Sequence, residues 1–312
     1  MSDPTVPQGV APGSDTAGRR AGIAPPLDPS LYRLDDEEVA FFKQQTGIDG
    51  DEGLREHIMK VQTEAYELYP YPCIRRFGFT QLKISRLPVY DDILKLGKER
   101  DAILLDIGCC FGNDVRKAIA DGYPPKNVIA SDVEPAFWQL GHRLFKTSPE
   151  SFQVPFIGGD AFDPTFLQPA PPAYAPLTTS APALSSVTSL TMLQGRVSAI
   201  HASSLFHLFE EEKQLALARA LAGLLAPHRG AMLFGSHGGA PEKGIVTWSL
   251  DGSGSKQVSM FCHSPESWRE MWELIFGTDK VQVDTELQPI NSSSDPLVTR
   301  VFHLLVWSVK RL

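Results

Sequence analysis

The sequence lacks the features that would place it in several broad classes. Its 4 cysteines, Cys73, Cys109, Cys110 and Cys262, form no Cys-x-x-Cys pair and show no metal-ligand spacing. The adjacent Cys109 and Cys110 cannot readily bridge each other, so free thiols in a reducing compartment are expected, with no metal. Lys and Arg number 29 against 37 Asp and Glu, a net charge of -8, and no basic run occurs. Phosphate contacts need a basic face, so nucleic acid is not expected as a partner. No apolar stretch reaches the ~20 residues of a membrane span. The first residues carry neither the basic n-region nor the apolar h-region of a secretory signal. These absences leave a cytoplasmic chain acting on a small molecule as the expectation. What is present is ordinary: 42% hydrophobic and 21% charged residues permit a sizeable core, in one large domain or two small ones.

The stretch that organises the chain is Ala102-Ile-Leu-Leu-Asp-Ile-Gly-Cys-Cys-Phe-Gly-Asn-Asp114. A short apolar run reads as a buried parallel strand. It ends on Asp106, followed by Gly108 and Gly112. A helical pattern follows, with Val115, Ala118 and Ile119 on one face, Gly122 at its end and Pro124 as a stop. Strand, glycine turn and helix make the opening half of a nucleotide-binding βαβ unit. The glycines would let backbone approach a ligand, and the helix start offers unpaired N–H groups to an anion.

The spacing is Asp-x-Gly-x-x-x-Gly, not the Gly-x-Gly-x-x-Gly of dinucleotide sites, with Cys110 where a middle glycine could stand. Here the chain resembles the class I S-adenosylmethionine (SAM) methyltransferases, whose first motif is an acid, one residue, then a glycine-rich turn. The resemblance implies an α/β fold: a Rossmann-like seven-stranded sheet with helices on both faces and the last strand antiparallel. It also implies SAM as cofactor, with Asp106, Gly108, Cys109 and Gly112 around its methionine end.

Two further strands end in acids. Asn127-Val-Ile-Ala-Ser-Asp132 precedes Val133-Glu-Pro135. An acid at that place in a Rossmann-like sheet chelates ribose hydroxyls, which SAM and NAD share; Asp132 also suits the start of the next helix. Phe156-Ile-Gly-Gly-Asp160 precedes Ala161 and Phe162. The resemblance implies that Asp160 meets the adenine amino group, the Ala161 N–H a ring nitrogen, and Phe162 the ring face. Val133 joins the expected cofactor set.

The fourth strand, Val197-Ser-Ala-Ile-His201, runs into Ala202-Ser-Ser-Leu-Phe-His207-Leu-Phe209. Its end borders the reversal of strand order, which places His201 and Ser203 at the methyl end of the cofactor and Phe206 and His207 in the substrate pocket. Histidine titrates near neutrality, so His207 is the first candidate for a general base. Gly230-Ala-Met-Leu-Phe-Gly235 is the fifth strand, and His237 in the following turn is the second candidate. Packing alone also accounts for both. Ser264 to Gly277 reads as a helix burying Trp268, Met271, Trp272 and Ile275, with His263 just before it at the pocket border. Two strands close the chain, Lys280–Glu286 and Val298–Ser308.

Around this unit, residues 1–28 read as a disordered tail and 29–98 as an N-terminal helical cap. Residues 99–312 read as the cofactor domain, with a Pro-rich surface insertion at about 168–190 ending in a possible helical turn at Leu190–Leu193. The cap has a helix over Asp51–Leu68, the break Tyr69-Pro-Tyr-Pro72, and a helix over Ser85–Leu96. Its aromatics Tyr71 and Phe77 either pack the cap or, as the resemblance implies, line the substrate pocket.

The runs His201–Phe209, Asp106–Gly112 and Phe261–Trp268 are similar to those of fungal secondary-metabolite methyltransferases of terpenoid and meroterpenoid pathways. That likeness implies O-methylation of a carboxyl or hydroxyl on a small lipophilic, terpenoid-like metabolite. The alternatives are C-methylation, an NAD(P)-dependent oxidoreductase, and a catalytically silent methyltransferase-like protein binding a partner through its cap.

Overall fold

The computed structural model describes residues 25–249, 257–290 and 302–312. Residues 1–24 of the expected tail, and residues 298–301 of the expected last strand, lie outside the described residues.

The apolar runs form nine strands: β1 (Leu104–Ile107), β2 (Val128–Asp132), β3 (Phe156–Gly158), β4 (Ala199–His201), β5 (Met232–Gly239), β6 (Gly244–Ser249), β7 (Gln257–Cys262), β8 (Val281–Ile290) and β9 (Phe302–Arg311). Seven make one sheet in the order β3-β2-β1-β4-β5-β9-β8. Strands β1 to β5 are parallel, and β9 runs antiparallel between β5 and β8. Strand order reverses beside β1, so the carboxyl ends of β1 and β4 open a crevice there. All four residues of β1 are buried, which is why this strand reads as continuous apolar sequence broken only by Asp106.

The helices are α1 (Asp36–Thr46), α2 (Asp51–Leu68), α3 (Pro72–Arg75), α4 (Tyr90–Arg100), α5 (Asn113–Ala120), α6 (Pro135–Leu144), α7 (Glu211–Leu224) and α8 (Pro265–Phe276). They cover both faces of the sheet. Leu217, Leu221, Trp268 and Trp272 pack on one face, and Ile93, Val115, Ala118 and Trp138 on the other. Each of the larger of these side chains contributes roughly 1.5–3 kcal/mol by leaving water. A third cluster joins α1 and α2 to the glycine turn and α6 through Phe42, Ile58, Phe111, Phe137 and Phe145. Helix α1 starts with a reciprocal cap: Glu38 N–H donates to Asp35 Oδ1 at 2.9 Å and Asp35 N–H to Glu38 Oε2 at 3.0 Å.

Three elements differ from expectation. The helix expected over Ser85–Leu96 begins only at Tyr90, after a 3₁₀ turn at Ile84–Arg86. Pro88 forces Leu87 into extended backbone and ends the turn. Strand β5 continues through Gly239 because Gly238 and Gly239 pair with Leu304 and His303 of β9. The β6–β7 hairpin was not expected, although Gly244–Ser249 and Gln257–Cys262 each fit the length of a strand; they form a separate two-stranded sheet. The Pro-rich insertion is only partly superficial. Leu184, Val187, Leu190 and Leu193 are buried in the main core, and Leu190–Leu193 is a 3₁₀ turn. Tyr174 Oη donates to Phe276 O at 2.6 Å, and Arg311 donates to Ala173 O while lying over the Tyr174 ring.

Candidate active site

The β1–β4 register places Asp106 beside His201, so their side chains leave the sheet on the same face. His201 Nδ1 lies 2.8 Å from Asp106 Oδ1, and His201 Nε2 lies 2.7 Å from Ser203 Oγ. The Ser236 N–H donates to the same Ser203 oxygen at 3.2 Å. All three side chains are buried. Burial opposes a charged His201, but the Asp106 carboxylate outweighs it and holds the pKa above the usual imidazole range. In the neutral form the proton on Nδ1 goes to Asp106, so Nε2 accepts from Ser203.

The glycine turn curls toward β2. Gly108 N–H and Cys109 N–H both donate to Ser131 O, at 2.8 and 3.1 Å. Gly108 and Gly112 have φ of 73° and 72°. Cys110 stands in the left-handed region too, at φ 51°, and its N–H donates to Asp132 Oδ2 at 2.8 Å. That bond offsets the ~1 kcal/mol such backbone costs a residue with a Cβ. Packing also requires glycine at Gly112: a Cβ there would stand 2.5 Å from Trp138. Asp132 also accepts from Glu134 N–H at 2.9 Å. Two backbone donors therefore fix its carboxylate, each oxygen retaining a second acceptor site. Burial pushes its pKa up to about 6. Val133 is half-buried beside it. Asp160 is exposed beyond β3, accepting from Phe162 N–H at 2.9 Å, and the Phe162 ring meets Phe209 edge-on at 4.9 Å. Ala161 between them is half-buried.

Over the turn lies a strap of the cap, residues 78–84. Together with Asp106, Gly108, Asp114 and Ser203, the strap residues Phe79, Gln81 and Lys83 enclose a cleft of about 40 Å³. Phe79, Gln81, Lys83, Asn113 and Asp114 were not anticipated. The one signal available was the continuation of the glycine motif into Asn113-Asp114.

The expected substrate and base residues separate into two groups. Tyr71 is half-buried, with its hydroxyl pKa raised first by burial and then by its neighbours, Asp132 among them, and its ring lies 6.1 Å from that of Phe137. His207 is half-buried beside β7 and accepts the Gly238 N–H on Nδ1 at 3.1 Å. The others are enclosed. Phe77 lies in the cap core, edge-on to Tyr32 at 5.3 Å. Phe206 is fully buried against Trp268, Trp272 and Trp307. His237 sits within β5, not in a turn, and accepts from Trp307 Nε1 at 3.0 Å. Burial and the neighbouring His207 and His263 depress its pKa well below the usual range. His263 is buried against Ser267 at 2.9 Å, its pKa depressed to about 4, first by burial and then by Lys243. Among the described residues no His, Cys, Asp and Glu cluster could hold a metal, and no helix is long and apolar enough to cross a membrane.

Residues 27–80 match the family model described as the meroterpenoid methyltransferase N-terminal domain. The O-methyltransferase phiE of a fungal species is 28% identical over 239 residues, 77% of this chain and 71% of that protein. The Asnovolin E/Chermesin D methyltransferase nvfJ of Aspergillus novofumigatus is 27% identical over 258 residues, 83% of this chain and 80% of that protein. With the sheet order and the acid-glycine turn, these matches decide the class. The chain is a class I methyltransferase. A solved 1,6-didemethyltoxoflavin-N1-methyltransferase from Burkholderia thailandensis, 14% identical, overlaps 85% of this methyltransferase and 91% of its own chain at a TM-score of 0.46.

Proposed function

We propose that this methyltransferase carries the methyl group of SAM to a carboxylate oxygen of a small lipophilic, terpenoid-like metabolite. The observation that supports the cofactor is the row of carboxylates at neighbouring strand ends, Asp106, Asp132 and Asp160, beside a turn in which Gly108 keeps the backbone bare. Asp132 would accept from the ribose hydroxyls, which are donors, and its two backbone donors hold it in place for them. Asp160, with Ala161 N–H and Phe162, would meet the adenine, and Ser203, backed by His201 and Asp106, the α-ammonium. Bound there, SAM supplies a methyl already activated by its sulfonium. The protein's task is then to align the acceptor oxygen and exclude water.

The choice of carboxylate follows from the histidines. His207 and His237 each use Nδ1 to accept a protein N–H. The neutral ring then carries its proton on Nε2, so neither histidine offers that nitrogen as a proton acceptor. A hydroxyl acceptor would lack a base in either place. A carboxylate is an anion at neutral pH and needs none.

The test is turnover with methyl-deuterated SAM and matched terpenoid acids and alcohols, read by mass spectrometry. Labelled methyl ester from the acids alone is the expected product. Label on the alcohols, or on carbon, would contradict the carboxylate reading. Absence of transfer, with SAM still bound, would favour the catalytically silent alternative.

A further inference from the structure

The cleft over the glycine turn has one ammonium on its wall, and the cap supplies it. Lys83 lines the cleft together with Ser203, on the strap that crosses the start of α5. The strap is tied down by the first two residues of that helix. Asn113 Nδ2 donates to Phe79 O, and Ile84 N–H donates to Asp114 Oδ1 at 2.8 Å. The position of Lys83 is therefore set by its neighbours and not by its own head group, which forms no ion pair among the described residues. Its charge reaches Asp114, whose Oδ1 accepts the strap's own Ile84 N–H, and His201, which contacts Asp106.

Two more features give the cleft its polarity. Helix α5 begins at Gly112 without a side-chain cap, so its first N–H groups and positive dipole end also seek an anion. About 40 Å³ has room for a few waters or a small polar terminus and too little for a nucleoside. A cation, a helix start and the Ser203–His201–Asp106 chain around one cleft complement a zwitterion.

We propose that Lys83 binds the α-carboxylate of the cofactor's amino-acid tail, making the cap part of the cofactor site. This rests on SAM being the cofactor. A carboxylate could also come from the methyl acceptor, and the analogues below separate the two sources.

The experiment is calorimetric titration of the full chain with S-adenosylhomocysteine, its decarboxylated analogue and 5′-methylthioadenosine, for wild type, Lys83→Met and Lys83→Arg. Lys83→Met should weaken S-adenosylhomocysteine about tenfold or more and leave the decarboxylated analogue and methylthioadenosine unchanged. Lys83→Arg should retain most of the affinity. Each variant is its own folding control, because the analogues share the nucleoside. Equal losses for all three compounds would overturn the proposal. Unchanged S-adenosylhomocysteine affinity in Lys83→Met would overturn it too. Failure of the wild-type chain to bind any of the three would remove the cofactor reading itself, and Lys83's role with it.

Discussion

At the residue scale, Asp132 carries the sharpest test of the crevice. Ribose hydroxyls donate to an ionised carboxylate, and a proton on Asp132 competes with them. Its pKa of about 6 places the effect within reach: affinity for S-adenosylhomocysteine should be full above that pH and fall as pH drops through it. Asp132→Asn should bind about tenfold or more weakly and lose that acid limb, as calorimetry across pH 5–8 would record. For stability the sign is opposite. The raised pKa means the folded state holds the proton more tightly, so the gain is largest below the unfolded value and declines as pH rises through about 6. Gly112→Ala should destabilise the fold, because its Cβ would meet Trp138 at 2.5 Å on a backbone with φ 72°. A loss of about 2–4 kcal/mol in denaturant unfolding is expected.

At the element scale, legibility followed locality. The acid-glycine turn could be read because strand, turn and helix start are contiguous, and the second and third acids because each closes a short apolar run. His237 was misplaced because Gly238-Gly239 looks like a turn, and only pairing with β9 makes it strand. Phe206 looked like a pocket residue because it follows β4, yet the tryptophans of α8 and β9 close around it. Phe206→Ala should therefore cost about 3–5 kcal/mol of stability, and a milder Phe206→Leu should leave the KM of the acceptor unchanged if the residue is core. Lys83 had no local signal. Its place depends on Asn113–Phe79 and Asp114–Ile84 bonds between segments 34 and 30 residues apart. The same holds for the insertion, whose anchor on Arg311 spans 138 residues.

At the scale of the whole molecule, the cap and the sheet share apolar surface. Phe111, Phe137 and Phe145, from the turn, α6 and its end, pack with Phe42 and Ile58 of the cap. Phe42 and Phe145 stack at 5.3 Å with rings 9° apart. Calorimetric unfolding should thus show one cooperative transition for both; two resolved transitions would mean the cap folds apart from the sheet. The sequence already held this dependence in the apolar faces of Leu54, Ile58, Val61 and Ala65, which needed a partner, though not which partner.

The measurement that bears most directly on the whole account is titration of the wild-type chain with S-adenosylhomocysteine and, in parallel, NADPH. Micromolar binding of S-adenosylhomocysteine with none of NADPH is the predicted result. Binding of NADPH alone would make the crevice a dinucleotide site and contradict the assignment of Asp106, Asp132 and Asp160 to SAM.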